Sequence, residues 1–261
     1  MVLVTQVPQT TIDSTAGPSF EHSVDPGLFS EHERQAVLHK IAAAAETQAL
    51  PKYIAVEGPI GVGKTTLTRK LAAAFNYPLM LEPVTENPFL GSFYGDGSNQ
   101  ALPTQLFFLL YRAKQIQNMP GNSLLTEELV TDFMFEKDDL FAQLTLDANE
   151  LALYQQIQTS LNIRPHAPDL VIYLQAPASV LLQRVQRRGL DFEQSIQFEY
   201  LEELAERYTE FFYYYDEAPV LVVNAAEVDF ANESEHFSAL LDQIFQMEGP
   251  RQFFNHNPTL L

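Results

Sequence analysis

The chain has no cysteine and few basic residues, and both absences exclude classes of site. Without cysteine it forms no disulfide framework and no thiolate metal site, a composition that fits a reducing compartment. Its 15 lysines and arginines stand against 34 aspartates and glutamates, a formal net charge of −19 at pH 7. Such an acidic surface repels a polyanion, so we expect no nucleic-acid polymer as a partner.

The sequence predicts no segment that leads to or crosses a membrane. Its first residues place no cationic segment before an apolar run, as a signal peptide does. Nowhere do about 18 apolar residues follow one another, the length that a membrane-spanning helix needs. At 261 residues, 46% of them hydrophobic, the chain is long enough for one medium-sized domain with a sizeable core. We therefore expect a soluble cytoplasmic protein that has no membrane partner.

Composition divides the chain into four segments. Residues 1–29 mix threonine, serine, proline and glycine without a period, which predicts a mobile tail. Residues 30–50 predict a helical extension, because Ser30 and a glutamate three residues later have the spacing of a capping box. Residues 51–248 are the predicted main domain, and residues 249–261 a C-terminal tail. The extension could pack on the main domain or serve as an arm that binds a partner.

The main domain alternates apolar strands with amphipathic helices. Five strands are predicted, at residues 53–58, 78–83, 127–135, 169–175 and 220–230. Helices are predicted between and after them, at residues 64–75, 102–117, 146–161, 179–189, 198–218 and 235–248. Near-continuous apolar strands separated by helices indicate a parallel sheet that is covered on both faces. The predicted fold class is therefore α/β, a doubly wound parallel sheet flanked by helices.

A glycine-rich loop follows the first predicted strand. Residues 58–65 match the pattern G-x-x-x-x-G-K-[ST], with a strand before it and a helix after it, as a phosphate-binding loop requires. Backbone amides of such a loop and the N-terminus of its helix hold phosphate oxygens. Lys64 is expected to reach the β- and γ-phosphates, and Thr65 to offer its hydroxyl to Mg²⁺. The predicted ATP-binding residues are Gly58, Pro59, Ile60, Gly61, Val62, Gly63, Lys64, Thr65 and Thr66.

Two carboxylates near the ends of other predicted strands are candidate catalytic groups. Glu82 lies at the end of the second strand and Asp132 near the end of the third. Ligands of parallel sheets bind beyond the carboxyl ends of the strands, so both should face the loop. One carboxylate beside a triphosphate can hold Mg²⁺ or its water, and the other can accept a proton from an attacking hydroxyl. We expect Asp132 to join Thr65 at the metal.

Three arginines form the chain's one cluster of basic residues. Arg184, Arg187 and Arg188 share one face of a predicted helix that ends at a glycine. On a mobile lid over a phosphate site, arginines stabilise the charge of a transferring phosphoryl group, so we predict a catalytic role for all three. Arginines at that end of a helix could also compensate the helix dipole.

From about Tyr53 to Met247 the chain resembles the deoxynucleoside kinases, the family that includes deoxycytidine, deoxyguanosine and bacterial deoxyadenosine kinases. The likeness rests on linked motifs, namely the phosphate loop, the glutamate of LEPV, the segment RVQRRG and the segment VNAAEVDF. It implies a P-loop fold with an arginine-bearing lid, ATP and Mg²⁺ as cofactors, and a homodimer formed by helix packing. Glu82 would be the general base on the deoxyribose 5′-hydroxyl.

The resemblance also implies which residues bind the substrate. Tyr94 and Glu193 would hold the sugar 3′-hydroxyl. The residues that would read the base are Gln105, Arg112 and Asp138. A planar base also stacks on aromatic rings, and the candidates nearby in sequence are Phe89, Phe107, Phe108 and Tyr111.

One motif departs from the family pattern. The family usually carries Asp/Glu-Arg-Ser after the third strand, where residues 132–134 of this chain read DFM. Aligning Asp132 with the acid puts Asp138 at the family's base-reading aspartate and leaves Phe133 in the place of the arginine. Lys137 or a lid arginine could supply the lost cation. In an alternative alignment, one residue over, Asp132 stands at the arginine and Thr131 becomes the acid.

The sequence thus predicts an enzyme that transfers the γ-phosphoryl group of ATP to the 5′-hydroxyl of a deoxynucleoside, for nucleotide salvage. An arginine together with an aspartate favours a purine, or cytosine, over thymine. Two other functions remain open. A nucleoside monophosphate kinase, such as a thymidylate kinase, would phosphorylate a phosphate and leave Glu82 without a proton to accept. A non-catalytic subunit would keep the fold as an interaction surface, and the missing arginine fits that alternative.

Overall fold

A parallel β-sheet with helices on both faces forms the centre of the protein. The computed structural model describes residues 27–95, 100–117, 128–163 and 165–256. The strands in these residues are β1 Tyr53–Glu57, β2 Leu79–Met80, β3 Leu129–Thr131, β4 Leu170–Gln175, β5 Val220–Asn224 and β6 Arg251–Phe254. The helices are α1 Glu31–Thr47, α2 Lys64–Phe75, α3 Leu90–Tyr94, α4 Ala101–Gln117, α5 Lys137–Thr145, α6 Ala148–Leu161, α7 Ala178–Arg188, α8 Phe198–Tyr214 and α9 Ser234–Phe245.

The strand order explains where a ligand can bind. The sheet runs β2-β3-β1-β4-β5-β6, and every neighbouring pair is parallel. From β1 the chain first builds the β3 side and then crosses over to the β4 side, so β1 lies at the point where the strand order reverses. In such a sheet ligands bind beyond the carboxyl ends of the strands at this point. The predicted doubly wound α/β fold is confirmed.

The central strand is buried on both faces. Ile54 and Val56 belong to an apolar cluster with residues of α2, α7 and α9, whereas Ala55 belongs to a second cluster with residues of α5 and α8. All three side chains are fully buried. This two-sided burial is why the strand has a continuous apolar sequence instead of alternating polar and apolar residues.

The predicted N-terminal helix is present as α1. The Ser30 hydroxyl accepts a hydrogen bond from the Glu33 amide, and the Glu33 carboxylate accepts one from the Ser30 amide, which completes the predicted capping box. The helix packs on α2 and α9, where Lys40 donates to Asp242 at 2.7 Å. Most of the predicted N-terminal tail, residues 1–26, lies outside the described residues.

Three predicted strands are clearly shorter than the sequence indicates. β2 contains only Leu79–Met80, so the prediction of strand over 81–83 was wrong. β3 ends at Thr131, whose hydroxyl donates to the Phe133 carbonyl at 2.9 Å, a local hydrogen bond that competes with the sheet. β5 ends at Asn224, whose side chain accepts from the Ala226 amide at 3.1 Å. The prediction of strand over 132–135 and 225–230 was therefore wrong, because local turns formed by Thr131 and Asn224 end both strands.

The C-terminal segment contains a strand that the sequence analysis did not predict. β6 lies in the segment assigned to a tail and pairs in parallel with β5. Its Arg251 donates to the carbonyl oxygens of Tyr213 and Tyr215 at 3.0 and 2.9 Å, where α8 ends four residues before its predicted end. The short helices α3 and α5 were also not predicted. No helix in the described part of the chain is long and apolar enough to span a membrane.

Candidate active site

The glycine loop lines a cleft, and its glycines have positive φ angles. Gly58 has a φ of +146°, and a Cβ there would come within 2.4 Å of the Leu174 carbonyl oxygen. Gly63 has a φ of +106° and precedes α2 without a side-chain cap. A side chain at either position would strain the loop. The first amides of α2 consequently remain free for an anion.

Lys64 is held next to this loop. Its ammonium group donates to the carbonyl oxygens of Gly58 and Pro59 at 2.7 and 3.1 Å. Burial, together with the nearby charge of Lys137, lowers the pKa of Lys64 to about 8. The ammonium group of Lys64 therefore lies against the loop, where it can contact phosphates that the loop binds.

Asp132 joins the loop to the end of β2. Its carboxylate accepts from the Thr65 hydroxyl at 2.6 Å and from the Glu82 amide at 2.8 Å. Burial raises the pKa of Asp132, so a cation beside this carboxylate would be favourable. A hydroxyl and a carboxylate are oxygen donors that suit Mg²⁺. Within the described residues no cluster of three His, Cys, Asp or Glu could hold a metal, so the remaining ligands would come from phosphates and water.

A row of largely buried side chains with alternating charge runs along the cleft, and three of them, Lys137, Glu82 and Arg112, line it. Its members, in spatial order, are Glu57, Lys137, Glu82, Arg112 and Asp138. The Lys137 ammonium lies 3.4 Å from a Glu57 oxygen and 3.0 Å from a Glu82 oxygen. Arg112 forms ion pairs with Glu82 on one side and Asp138 on the other. We call these five residues the charge row.

The charge row keeps Glu82 ionised. Burial alone would raise the pKa of its carboxyl group, but the adjacent Arg112 and Lys137 outweigh burial and lower this pKa to about 2. Each carboxylate oxygen of Glu82 has its own cation, one accepting from Arg112 and the other from Lys137. The carboxylate is therefore charged and fixed in orientation before any substrate binds.

Phe133 stands beside this row. It is 3% exposed and packs with Met80 and Leu129. The Arg112 guanidinium lies 5.7 Å from its ring centroid and the Lys137 ammonium 5.9 Å, distances at which a ring attracts a cation. In the alignment that places Asp132 at the acid of the family pattern, the position of the arginine is thus occupied by an aromatic ring with two cations near it.

The remaining predicted base-reading and sugar-binding residues, Gln105, Glu193 and Tyr94, line the same cavity as Glu82. The Gln105 amide donates to the Thr145 hydroxyl at 3.2 Å, which fixes its orientation. Glu193 forms an ion pair with Arg188. Burial, with the neighbouring Tyr200 and Glu193, raises the pKa of Tyr94 well above its usual value, so its hydroxyl stays protonated. A protonated hydroxyl and a carboxylate together can bind a sugar hydroxyl as donor and acceptor.

The three arginines of α7 do not share one role in the structure. Arg184 donates to the Val62 carbonyl at 3.1 Å and to the Ala225 carbonyl at 2.8 Å. It therefore connects the glycine loop to the loop after β5. Arg188 pairs with Glu193, and Arg187 lies at the cleft with its side chain exposed. Catalytic roles for Arg187 and Arg188 stay predictions, while the contacts of Arg184 favour a structural link.

One cavity of about 720 Å³ brings most of the predicted residues together. The predicted residues that line it are Ile60, Gly61, Val62, Gly63, Lys64, Thr65, Thr66, Glu82, Tyr94, Gln105, Arg112, Asp132, Arg184, Arg187, Arg188 and Glu193. Asp138 is 1% exposed and contacts the cavity only through Arg112. Of the four aromatic residues expected beside the base, only Phe108 lines this cavity. Additional rings, which the sequence analysis missed, come from Phe93, Phe141, Tyr200 and Tyr208.

Sequence analysis also missed Glu57. Its carboxylate accepts from the Gly58 amide at 3.0 Å, the Met134 amide at 2.8 Å and the Tyr208 hydroxyl at 3.0 Å. An acidic residue that ends an otherwise apolar buried strand is a signal that could have identified it, because a buried charge requires partners.

Comparison with known proteins agrees with this geometry. The family model of the deoxynucleoside kinases matches residues 54–247. A deoxyguanosine kinase of Bacillus subtilis (strain 168) is 32% identical over 200 residues, which cover 75% of this chain and 97% of the relative. A deoxyadenosine/deoxycytidine kinase of the same organism is 28% identical over 206 residues, 75% and 93% of the two chains.

Solved structures show the same likeness. The structure of deoxyadenosine kinase from M. mycoides with bound dATP superimposes with a TM-score of 0.64 and 25% identity, over 74% of this chain and 98% of the other. The family match spans more than half of the chain and includes the glycine loop, the charge row and α7. The chain belongs to the deoxynucleoside kinase family.

Proposed function

We propose that the protein transfers the γ-phosphoryl group of ATP to the 5′-hydroxyl of a purine deoxynucleoside, with deoxycytidine as a second acceptor. The observation that carries this proposal is the position of Glu82. The ionised carboxylate of Glu82 lines the same cavity as the glycine loop. The backbone amide of Glu82 donates to Asp132, whose carboxylate also accepts from Thr65. A phosphate cradle and a general base would thus lie in one cleft.

The donor half follows from the loop. The amides of residues 58–66 and the N-terminus of α2 would bind the β- and γ-phosphates, with Lys64 on their oxygens. Thr65 and Asp132 would hold Mg²⁺, which when bound neutralises charge on the phosphate oxygens. Arg187 and Arg188 would stabilise the charge of the transferring group from α7.

Glu82 would accept the proton of the attacking 5′-hydroxyl. A carboxylate whose pKa is about 2 is a weak base, so it would take the proton late, as the bond to phosphorus forms. That order suits the loose transition state of phosphoryl transfer, in which the nucleophile is activated mainly by position. The two cations on Glu82 would hold its carboxylate in the orientation that accepts this proton.

The acceptor half supports a nucleoside. Tyr94 and Glu193 would bind the sugar 3′-hydroxyl, and Gln105 and Arg112 would bind the base edge while Asp138 orients Arg112. The base preference is supported by the relatives, whose names include deoxyguanosine, deoxyadenosine and deoxycytidine kinases. A base that leaves a buried Gln105 or Arg112 without a partner would be disfavoured by about 1–3 kcal/mol.

A nucleoside monophosphate kinase fits this cleft less well. Its acceptor carries a phosphate, which the ionised carboxylate of Glu82 would repel.

A homodimer and a cytoplasmic location are further proposals. The dimer would form through α4 and α6, which present Leu110 and Leu153 at 50% and 47% exposure. Light scattering of the protein and of a Leu110→Glu variant tests this interface.

An assay panel tests the proposed function. The protein is incubated with ATP, Mg²⁺ and each of the four deoxynucleosides, with thymidine monophosphate as a separate acceptor. We expect 5′-monophosphate from deoxyguanosine or deoxyadenosine at the highest kcat/KM, with deoxycytidine next. No monophosphate from any deoxynucleoside would overturn the proposal, and diphosphate from thymidine monophosphate would favour the monophosphate kinase instead.

A further inference from the structure

Lys137 is an unusual cation for its position. It is the first residue of α5 and is 3% exposed. The N-terminus of a helix carries partial positive charge and therefore disfavours a lysine, and burial of an ammonium group adds a desolvation cost. Both effects disfavour a charged lysine at this position, so the residues that pair with Lys137 have to compensate for this cost.

Those partners lie on two different elements. Glu57 ends β1, just before the glycine loop, and Glu82 lies just beyond β2. The Lys137 ammonium lies 3.4 Å from the former and 3.0 Å from the latter. It therefore connects the strand that carries the loop to the carboxylate that faces the acceptor.

Glu57 cannot turn away from this contact. Its two oxygens already accept from the Gly58 amide, the Met134 amide and the Tyr208 hydroxyl. These donors belong to the glycine loop, the turn after β3 and α8. A carboxylate fixed from three directions gives the flexible lysine a constant anchor, which reduces the number of positions that its ammonium group can adopt.

Lys137 also lies near Phe133, with its ammonium 5.9 Å from the ring centroid. In the alignment that places Asp132 at the acid of the family pattern, Phe133 stands in the position of the motif arginine. Arg112 cannot pair with both oxygens of Glu82, because its guanidinium is already shared between one of them and Asp138. The second oxygen of Glu82 would have no cation without Lys137.

We propose that Lys137, anchored by Glu57, is the positioning residue that takes the place of the missing motif arginine and holds the Glu82 carboxylate towards the acceptor hydroxyl. This inference rests on the proposed function, because it assigns the cation that supports the same base. It extends that function by making Glu57 and Lys137 a second connection, besides Asp132, between the phosphate loop and Glu82.

The test compares Lys137→Met with Lys137→Arg, and uses Lys52→Met, an exposed lysine before β1, as the control. We expect Lys137→Met to lower kcat by at least roughly 100-fold while the KM for ATP and the affinity for ADP change little. Lys137→Arg should keep kcat within about 10-fold of the wild type, because a guanidinium can also donate to a carboxylate. Lys52→Met should match the wild type.

Two further variants separate positioning from folding. Glu57→Gln keeps the shape of the anchor but removes its charge, and should lower kcat by roughly 10- to 100-fold, as loss of an outer partner does. Phe133→Arg added to Lys137→Met restores the arginine of the family pattern and should recover part of kcat. ADP binding by calorimetry and the melting temperature report whether each variant is folded.

The outcomes distinguish this inference from the proposed function. Wild-type protein that makes no monophosphate contradicts the function itself. Active wild type with a Lys137→Met variant within threefold of its kcat overturns the role of Lys137. A folded Lys137→Arg variant as inactive as Lys137→Met also overturns it, and so does an unchanged kcat in Glu57→Gln.

Discussion

The two halves of the cleft are made from different parts of the chain. The donor half is built around one continuous segment, residues 58–66, of which residues 60–66 line the cleft. The acceptor half is built around the charge row, whose members come from β1, α4, α5 and the segment after β2. A site built from backbone depends on the conformation of one loop, whereas a row of buried charges depends on every partner being present.

Asp132 connects the two halves directly, since it binds Thr65 on one side and the Glu82 amide on the other. We therefore expect substitutions to have different consequences in the two halves. Loss of one charge in the acceptor half should destabilise the protein or its chemistry. Loss of a side chain that supports the donor half should chiefly weaken ATP binding.

Arg112→Met should have the largest effect. Arg112 is 3% exposed between Glu82 and Asp138, so its loss leaves two buried carboxylates without their shared cation. We expect the free energy of unfolding to fall by about 3–5 kcal/mol and the melting temperature by roughly 10 °C. Urea denaturation followed by circular dichroism measures the change.

The matched control is Arg207→Met. The Arg207 side chain is 45% exposed and its two carboxylate partners lie 3.8 Å away, so we expect less than about 1 kcal/mol. Adding Asp138→Asn to Arg112→Met should return part of the lost stability. An Arg112→Met protein as stable as the wild type would contradict the view that the row requires every charge.

Asp132→Asn alters the residue that connects the donor half to the acceptor half. The substitution keeps the shape of the side chain but removes the charge beside Thr65. We expect kcat to fall by about 10²–10³-fold and half-maximal activity to require more Mg²⁺. Asp139→Asn, on the exposed side of α5, is the control and should leave both values unchanged. Unaltered Mg²⁺ dependence in Asp132→Asn would exclude Asp132 from the metal site.

Arg184→Met should affect the donor half alone. Its guanidinium joins Val62 to Ala225, and hydrogen bonds from a charged donor contribute about 1.5–3 kcal/mol. We expect the KM for ATP to rise by roughly 10- to 100-fold, with a smaller change in kcat. Arg187→Met should show the reverse, a lower kcat at unchanged KM. A loss of kcat alone in Arg184→Met would instead place Arg184 with the catalytic arginines.

Lys70→Met, on α2 beyond the loop, should have the smallest effect. Burial lowers the pKa of Lys70, so its charge costs stability below that pKa, and the cost disappears as the pH rises towards 10.5. Contacts of its ammonium with the rings of Phe29 and Phe237 at 5.3 and 5.5 Å partly offset the cost. We expect less than about 1 kcal/mol at pH 7. A larger loss in urea denaturation would mean that the charge itself holds α2 to its neighbours.

The sequence predicts most of the fold because the strands and helices carry strong local signals. The capping box at Ser30 and the apolar run of β1 both lead to elements that the structure contains. β6 escaped prediction because four residues give no clear period, and its pairing with β5 depends on distant backbone. The ends of β3 and β5 depend on side-chain turns at Thr131 and Asn224, which compete with strand propensity.

The two halves of the site also differ in how well the sequence predicts them. The donor half is contiguous, so a motif locates it. The acceptor half could be predicted only through resemblance, and resemblance does not reveal what replaces a missing residue. Glu57 was missed because its partners, Tyr208 and Lys137, are 151 and 80 positions away along the chain. Arg184 could not be told apart from Arg187 by sequence, because only the packing of α7 shows which side chain reaches backbone carbonyls.

The most direct test of the account is a single-turnover measurement on Glu82→Gln with γ-labelled ATP and saturating deoxyguanosine or deoxyadenosine. Glu86→Gln, an exposed glutamate four residues on, is the control. ADP titration confirms that the donor half still binds nucleotide. The account predicts that transfer to the 5′-hydroxyl slows by about 10²–10⁴-fold while ADP affinity stays within twofold of the wild type. Transfer at the wild-type rate would contradict the central claim that the acceptor half exists to hold a general base.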